Sequence, residues 1–297
     1  MEKKKFNHNK AVMANGNIFG FPGNEKDADI VILPIPWDAT VSLRKGSHLA
    51  PQAILNASTQ LEFFHHDVEN AFEINVFMTE VSSEWKKINN RCSEKSSEYI
   101  RYFEEEGQEK AESYFKKEIE NINYTQSILA QNLKERCHFL IKENKIMGVL
   151  GGDHSVALGT IQAINDEYDD FGILQIDAHA DLRPSYGGTR YNHACAMYDA
   201  SKNCNLIQVG IRSMDISEKE HVDSFKCYFA HEMIHGKSWM QESIDQMTQN
   251  VYISFDLDAF DPSIMSATGT PEPGGLSWYT TLEYLYKVFM ERNVVGF

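Results

Sequence analysis

From Lys145 to Phe297 the chain repeats one device: a short apolar run breaks off into a loop, and a helical pattern follows. "KIMGVLGGDHS" reads as strand then loop, and "VALGTIQAINDEY" as helix. "FGILQIDAHAD" and "NLIQVGIRS" are again strand then loop, "QESIDQMTQ" is helix, and "NVYISFDLDAFDP" is strand then loop. "WYTTLEYLYKVFME" is helix and "NVVGF" strand. Such continuous apolar runs belong to strands covered on both faces, and strands joined through helices run parallel. The alternation predicts an α/β chain with a mainly parallel sheet covered by helices. Nearer the start, "ADIVILPIPWD" (28–38) adds a strand running into a Pro-rich loop, and "APQAILNAS" (50–58) a helix with Pro in its first turn. At 297 residues this fits one domain, with residues 1–27 as an N-terminal extension.

Residues 82–145 have another character, rich in Glu and Lys and poor in Gly and Pro. Leu129, Leu133 and Cys137 recur at helical spacing, as do Ile119 and Ile122. Two or three amphipathic helices are predicted here, as an insertion or a lateral helical layer. The formal net charge of -15 argues against binding to nucleic acids or anionic membranes, since both need basic patches. It suits a soluble enzyme acting on a small substrate, cations included. No run is apolar and long enough to span a bilayer. The five cysteines form no CxxC pair, which points to reduced thiols in a cytoplasm.

Three of the predicted strands end in chargeable groups. Asp177 and His179, two apart, face one way at a strand end, with Asp181 just beyond as the chain turns. Asp256 and Asp258 repeat the spacing, and His154 follows two glycines. Ligands of open parallel sheets gather outside the carboxyl ends of the strands, so the three ends can share one crevice. Four carboxylates there would repel one another and resist ionisation. Two divalent cations neutralise them, and an oxygen-rich set with some imidazole and no thiolate favours Mn²⁺ over structural Zn²⁺. A metal pair can lower the pKa of a bridging water and supply hydroxide near neutral pH. "HEMIH" (231–235) also matches the H-E-x-x-H zinc-protease pattern, but the helix before Gly236 would be very short, and a loop-to-helix connection with incidental histidines is the simpler reading.

"GGDHS", "DAHAD" and "SFDLDAFDP...TGTPEPGG" together resemble the three signatures of the ureohydrolase family, which holds arginase and agmatinase. "PIPWDAT", "LRKGSHLAPQAILNAS" and "YNHACAMY" resemble its agmatinase-type members. The resemblance spans roughly residues 28–297, with 82–145 its least familiar part. It implies a three-layer α/β/α fold, a binuclear Mn²⁺ centre, and hydrolysis of a guanidinium group to urea and an amine. It implies that His154, Asp177, Asp181 and Asp256 bind one Mn²⁺ and Asp177, His179, Asp256 and Asp258 the other. Asp177 and Asp256 would then bridge, with Asp177 positioning the hydroxide. His193 matches the histidine that passes a proton to the leaving amine. Glu272 and Thr270 are the candidate substrate contacts. Asp153 is expected to orient a neighbour or to cap the helix that begins near Ser155. The resemblance also implies a trimer or hexamer, and an acidic guanidinium-binding residue and terminal helix beyond Phe297, where this chain stops. Two other readings stay open: a catalytically weak metal-binding member acting through subunit contacts, and a deacetylase-type amidohydrolase with one Zn²⁺.

Overall fold

The structure is a computed structural model that describes residues 6, 12–66 and 68–297. Its strands are β1 (Ile30–Pro34), β2 (Val76–Met78), β3 (Ile146–Leu150), β4 (Phe171–Ile176), β5 (Asn205–Ile211), β6 (Cys227–Phe229), β7 (Asn250–Phe255) and β8 (Asn293–Gly296). They form one sheet in the order β2-β1-β3-β8-β7-β4-β5-β6. Every pairing is parallel. The helices are α1 (Ala50–Ala57), α2 (Ser83–Glu106), α3 (Gln108–Tyr114), α4 (Lys116–Lys142), α5 (Ala157–Glu167), α6 (Tyr198–Asn203), α7 (Ala230–Met233), α8 (Ser238–Asp245) and α9 (Trp278–Glu291).

The strand pleat divides the core in two. Phe171 and Ile173 of β4 point into a cluster with Leu133, Cys137 and Leu140 of α4 and Ile161 and Ile164 of α5. Leu174 and Ile176 point the other way, against Trp239, Met240 and Ile244 of α8 and Tyr284 and Val288 of α9. All six residues of β4 are buried, as the unbroken apolar run predicts. Burying each large aliphatic side chain contributes about 1.5–3 kcal/mol, so the central strands dominate stability. The result is the three-layer α/β/α sandwich, with helices on both faces of a parallel sheet.

The stretch predicted as two or three helices forms α2, α3 and α4. α2 starts at Ser82, whose side chain accepts from Trp85 N, and stops at Gly107, where φ is +87°. α4 lies along α5 and shares its core, so it belongs to the layer covering one face. Two strands escape the sequence pattern, β2 and β6. Both are three residues long and both are sheet edges. None of the helices is long and apolar enough to cross a membrane among the described residues.

Candidate metal centre

The loop after β3 is built by close approach. A Cβ on Gly152 would lie 1.9 Å from the carbonyl oxygen of Trp37, and Asp153 N donates to that same oxygen at 2.8 Å. Asp153 then caps the turn His154–Val156, its carboxylate accepting from Ser155 N at 3.0 Å. Burial pushes the Asp153 carboxyl up to about 7. This turn carries His154 over the carboxyl end of the sheet. After β4 the chain continues to Asp177 and His179, then turns at Asp181, whose φ is +54°. That left-handed conformation, one of the few non-glycine cases here, is tolerated by Asp and sends its side chain back toward His154.

His154 Nδ1 lies 2.9 Å from Asp177 Oδ2 and 2.8 Å from Asp181 Oδ2. His179 Nδ1 lies 3.0 Å from Asp258 Oδ2 and 3.7 Å from Asp177 Oδ1. Two groups result, His154–Asp177–Asp181 and Asp177–His179–Asp258, with the ligand atoms of each within 4.8 Å of one another. Asp177 belongs to both and gives one oxygen to each side. Asp256 stands further off: its Oδ2 is 3.9 Å from His154 Nδ1, and its Oδ1 accepts from Asp258 N at 3.0 Å. Ala178 N donates to the other oxygen of Asp258 at 3.2 Å, which ties the ends of β4 and β7 together.

The charges fit cations. Burial, reinforced by Asp258 and Asp177, pushes Asp256 up to about 7, and burial with Asp177 pushes Asp181 up to about 6. Burial and Asp177 also raise Asp258. Burial alone would push His154 and His179 down, but the carboxylates around them hold both imidazoles far above the ordinary range. Protons thus stand where positive charge is needed. His154 Nδ1 is buried and close to two carboxylates, yet neither lies in hydrogen-bonding direction, and the nitrogen has no hydrogen-bond partner. A ring nitrogen and carboxylate oxygens converging on a common point, without hydrogen-bond alignment, fit a shared cation. The donor set of carboxylates and imidazoles, with no thiolate, suits Mn²⁺-type ions.

The turn His193–Cys195 packs against the turn bearing His154. Asn192 caps it, accepting from Ala194 N at 3.0 Å. Nδ1 of His193 is buried without a hydrogen-bond partner, and burial, with His154 and His179 nearby, pushes the imidazole down to about 4. Glu272 reaches the rim, Oε1 being 3.9 Å from His179 Nε2. Thr270 stays exposed on the same loop. In "HEMIH", His231, Glu232 and His235 are all exposed around the four-residue α7, and no metal-holding group includes them among the described residues.

Several residues that hold this site were not singled out in the sequence. Gln208, Gln175 and Ser254 are cross-strand neighbours on β5, β4 and β7. Gln208 Nε2 donates to Gln175 Oε1 at 2.7 Å, and Gln175 Nε2 donates to Asp177 Oδ2 at 2.9 Å and to the His179 carbonyl at 3.1 Å. Ser254 Oγ is 2.7 Å from His154 Nε2, leaving Nδ1 to face the acids. Polar residues inside apolar runs were the available signal. Glu218, also buried, accepts from Leu182 N at 2.8 Å behind Asp181. Arg212, at the end of β5, binds the carbonyls of Asp258, Phe260, Glu272 and Pro273.

Residues 28–297 match the family model described as the Arginase family. The chain belongs to the arginase family. To the N(1)-aminopropylagmatine ureohydrolase of Thermus thermophilus this arginase-family chain is 31% identical over 277 residues, covering 91% of this chain and 81% of the relative. To the enzyme of the same name from Synechocystis sp. it is 27% identical, covering 91% and 80%. The agmatine ureohydrolase of Thermoplasma volcanium superposes with a TM-score of 0.72 at 25% identity, over 96% of this chain and 85% of that one.

Proposed function

We propose that this arginase-family chain is a binuclear manganese ureohydrolase of the agmatinase type, which splits a small guanidino compound with water into urea and an amine. The observation that carries this reading is Asp177, buried, with one carboxylate oxygen in each of two His–Asp groups. One ion with a single His–Asp group would need no such shared acid. The names of the relatives, ureohydrolases of agmatine and aminopropylagmatine, support the substrate class.

In this reading His154, Asp177 and Asp181 would hold one Mn²⁺ and Asp177, His179 and Asp258 the other. Asp256, whose Oδ2 lies 3.9 Å from His154 Nδ1, would add a carboxylate to the set. The two ions supply charge that makes water nucleophilic near neutral pH. The chain's residues do the rest. Glu272, at the rim, offers a carboxylate to the guanidinium. Its backbone is fastened by Arg212, which fixes where that carboxylate stands. The water's oxygen bonds to the guanidino carbon, the bond from that carbon to the alkyl nitrogen breaks, and a proton must reach that nitrogen. His193, held neutral by burial, takes a proton and passes it to the departing amine.

The reading includes a cytoplasmic homo-oligomer, a trimer or hexamer. Five free thiols fit a reducing compartment. Tyr279, Phe289 and Met290 leave an apolar face of α9 exposed, which fits a subunit contact. Urea release from agmatine, arginine and guanidinobutyrate by the Mn²⁺-loaded protein tests the activity. Turnover of at least one is expected, and release from none would refute the reading.

A further inference from the structure

α2 packs Cys92 into the core, yet it also carries a polar row. Asn89, Ser93 and Ser97 stand four apart and so share one face of the helix. Asn89 is fully buried, and its short amide neither favours a helix interior nor fits an apolar core. Its partner explains it. Asn89 Oδ1 accepts from Asp38 N at 2.8 Å, and Asn89 Nδ2 donates to Asp38 Oδ1 at 3.0 Å. The two bonds run in opposite directions, so they fix both the backbone and the carboxylate of Asp38. Asp38 Oδ2 then accepts from Gly46 N at 2.8 Å and from His48 N at 3.2 Å, which closes residues 38–48 into a ring. Further along the row, Ser93 offers two oxygens to Lys45 Nζ, its carbonyl at 2.9 Å and its hydroxyl at 3.0 Å. Ser97 Oγ accepts the third bond at 2.7 Å. An ammonium has three donors, and all of them point at α2. The loop 38–48 is thus strapped to α2 at two points.

That loop bears directly on the metal centre. Trp37, next to Asp38, accepts at its carbonyl from Asp153 N at 2.8 Å, and Asp153 caps the turn that carries His154. The contact is tight. A Cβ on Gly152 would meet the Trp37 carbonyl oxygen at 1.9 Å and His48 Cα at 3.2 Å, so backbone lies on backbone between the loop and the turn. The Trp37 ring is fully buried and meets Trp85 of α2 edge-on, with centroids 6.1 Å apart. A shift of Asp38 relative to α2 therefore passes to the Trp37 carbonyl, to Asp153 N and to His154. His179 and Asp258 stand outside this path. They follow β4 and β7, and the chain beside His179 is tied to Asp258 through Ala178 N.

We propose that Asn89 is a positioning residue for the metal centre: through Asp38 and Trp37 it sets the turn bearing His154, and so acts on the ion of that side. Lys45 braces the same loop from its far end. The proposal rests on the two-ion reading above and gives the helical layer a task in it.

A double-mutant cycle on Mn²⁺ affinity, read by competition with a chelator, tests this. His154→Ala and His179→Ala each remove the histidine of one ion and leave the other ion to follow. Asn89→Leu keeps the size and removes both bonds to Asp38. Added to His179→Ala, it should weaken the remaining ion about tenfold, as loss of a group that orients a ligand does. Added to His154→Ala, it should leave the remaining ion's affinity unchanged, because the turn it sets no longer supplies a ligand. Lys45→Met removes the second strap without unpairing a buried carboxylate. It should give the same pattern with a smaller loss, and it decides the matter should Asn89→Leu not fold. A loss of equal size in both backgrounds, as a general loosening of the fold would give, overturns the proposal, and so does no loss in either. Failure of the wild-type chain to bind two ions overturns the two-ion reading and the proposal with it. Two bound ions with no urea released overturns the ureohydrolase activity alone, and the cycle still decides the role of Asn89.

Discussion

The guanidinium of Arg212 donates from Nη2 to the backbone carbonyl of Asp258 at 2.7 Å. The same nitrogen donates to the carbonyl of Glu272, also at 2.7 Å. One side chain at the end of β5 therefore positions both a candidate ligand of the second ion and the acid at the rim. Only the planar fork of arginine can reach so many carbonyls at once. Arg212→Ala is expected to loosen the Asp258 side first, so that metal analysis after dialysis shows bound Mn²⁺ falling from two toward one per chain. Arg212→Lys should not restore it. Two tightly retained ions in Arg212→Ala would show that the loop holds itself.

Gln175 is fully buried and holds Asp177, donating from Nε2 to Oδ2 at 2.9 Å. Gln175→Leu keeps the volume and removes the donor, leaving the Asp177 carboxylate with the bond from His179 N at 2.7 Å. Losses of this kind cost about 10–100-fold in metal affinity. A competition titration of Mn²⁺ against a chelator should show a fall of that order, with little change in the far-ultraviolet dichroism. Wild-type affinity would remove Gln175 from the account.

His193 is given a proton-transfer role and no metal. His193→Asn is expected to lower kcat by about 100-fold while both ions stay bound. Loss of an ion along with activity would make His193 a part of the metal site instead.

Gly152 lies where a Cβ would sit 1.9 Å from the Trp37 carbonyl oxygen, whereas at Gly151 it would meet a side-chain methyl of Val156 at 2.4 Å. Backbone cannot yield as a methyl can. Gly152→Ala should therefore destabilise by about 3 kcal/mol or more, and Gly151→Ala by clearly less. Chemical denaturation of the two variants measures the difference, and equal costs would contradict it.

Asp38 is fully buried, and its carboxylate accepts from Asn89 Nδ2 at 3.0 Å and Gly46 N at 2.8 Å and pairs with His48 Nδ1 at 2.7 Å. Burial alone would raise its pKa, but these partners hold it below the ordinary carboxylate value. A folded-state pKa below the unfolded one means stability present above about pH 4 and lost as pH falls through the lower folded value. The melting temperature of Asp38→Asn should thus trail wild type most at neutral pH, and the gap should narrow as the pH falls below the ordinary carboxylate range. A gap independent of pH would assign the loss to packing.

The sequence by itself determined the elements long enough to show a period. β4, α5 and α9 read directly from their apolar patterns, and so did the run of helices in 82–145. The three strand ends bearing Asp177, His179, Asp181, Asp256, Asp258 and His154 were equally legible, because i, i+2 spacing is a local property of a strand. Only the tertiary structure decided the strand order, with β8 between β3 and β7, and the two edge strands, whose three residues carry too little pattern to be seen. It alone set Gln208, Gln175 and Ser254 in one row, since neighbours across a sheet are fixed by register and not by distance along the chain. The pairing of Asn89 with Asp38 was invisible for the same reason. A helix pattern states which residues share a face, and the packing of other elements decides what that face meets.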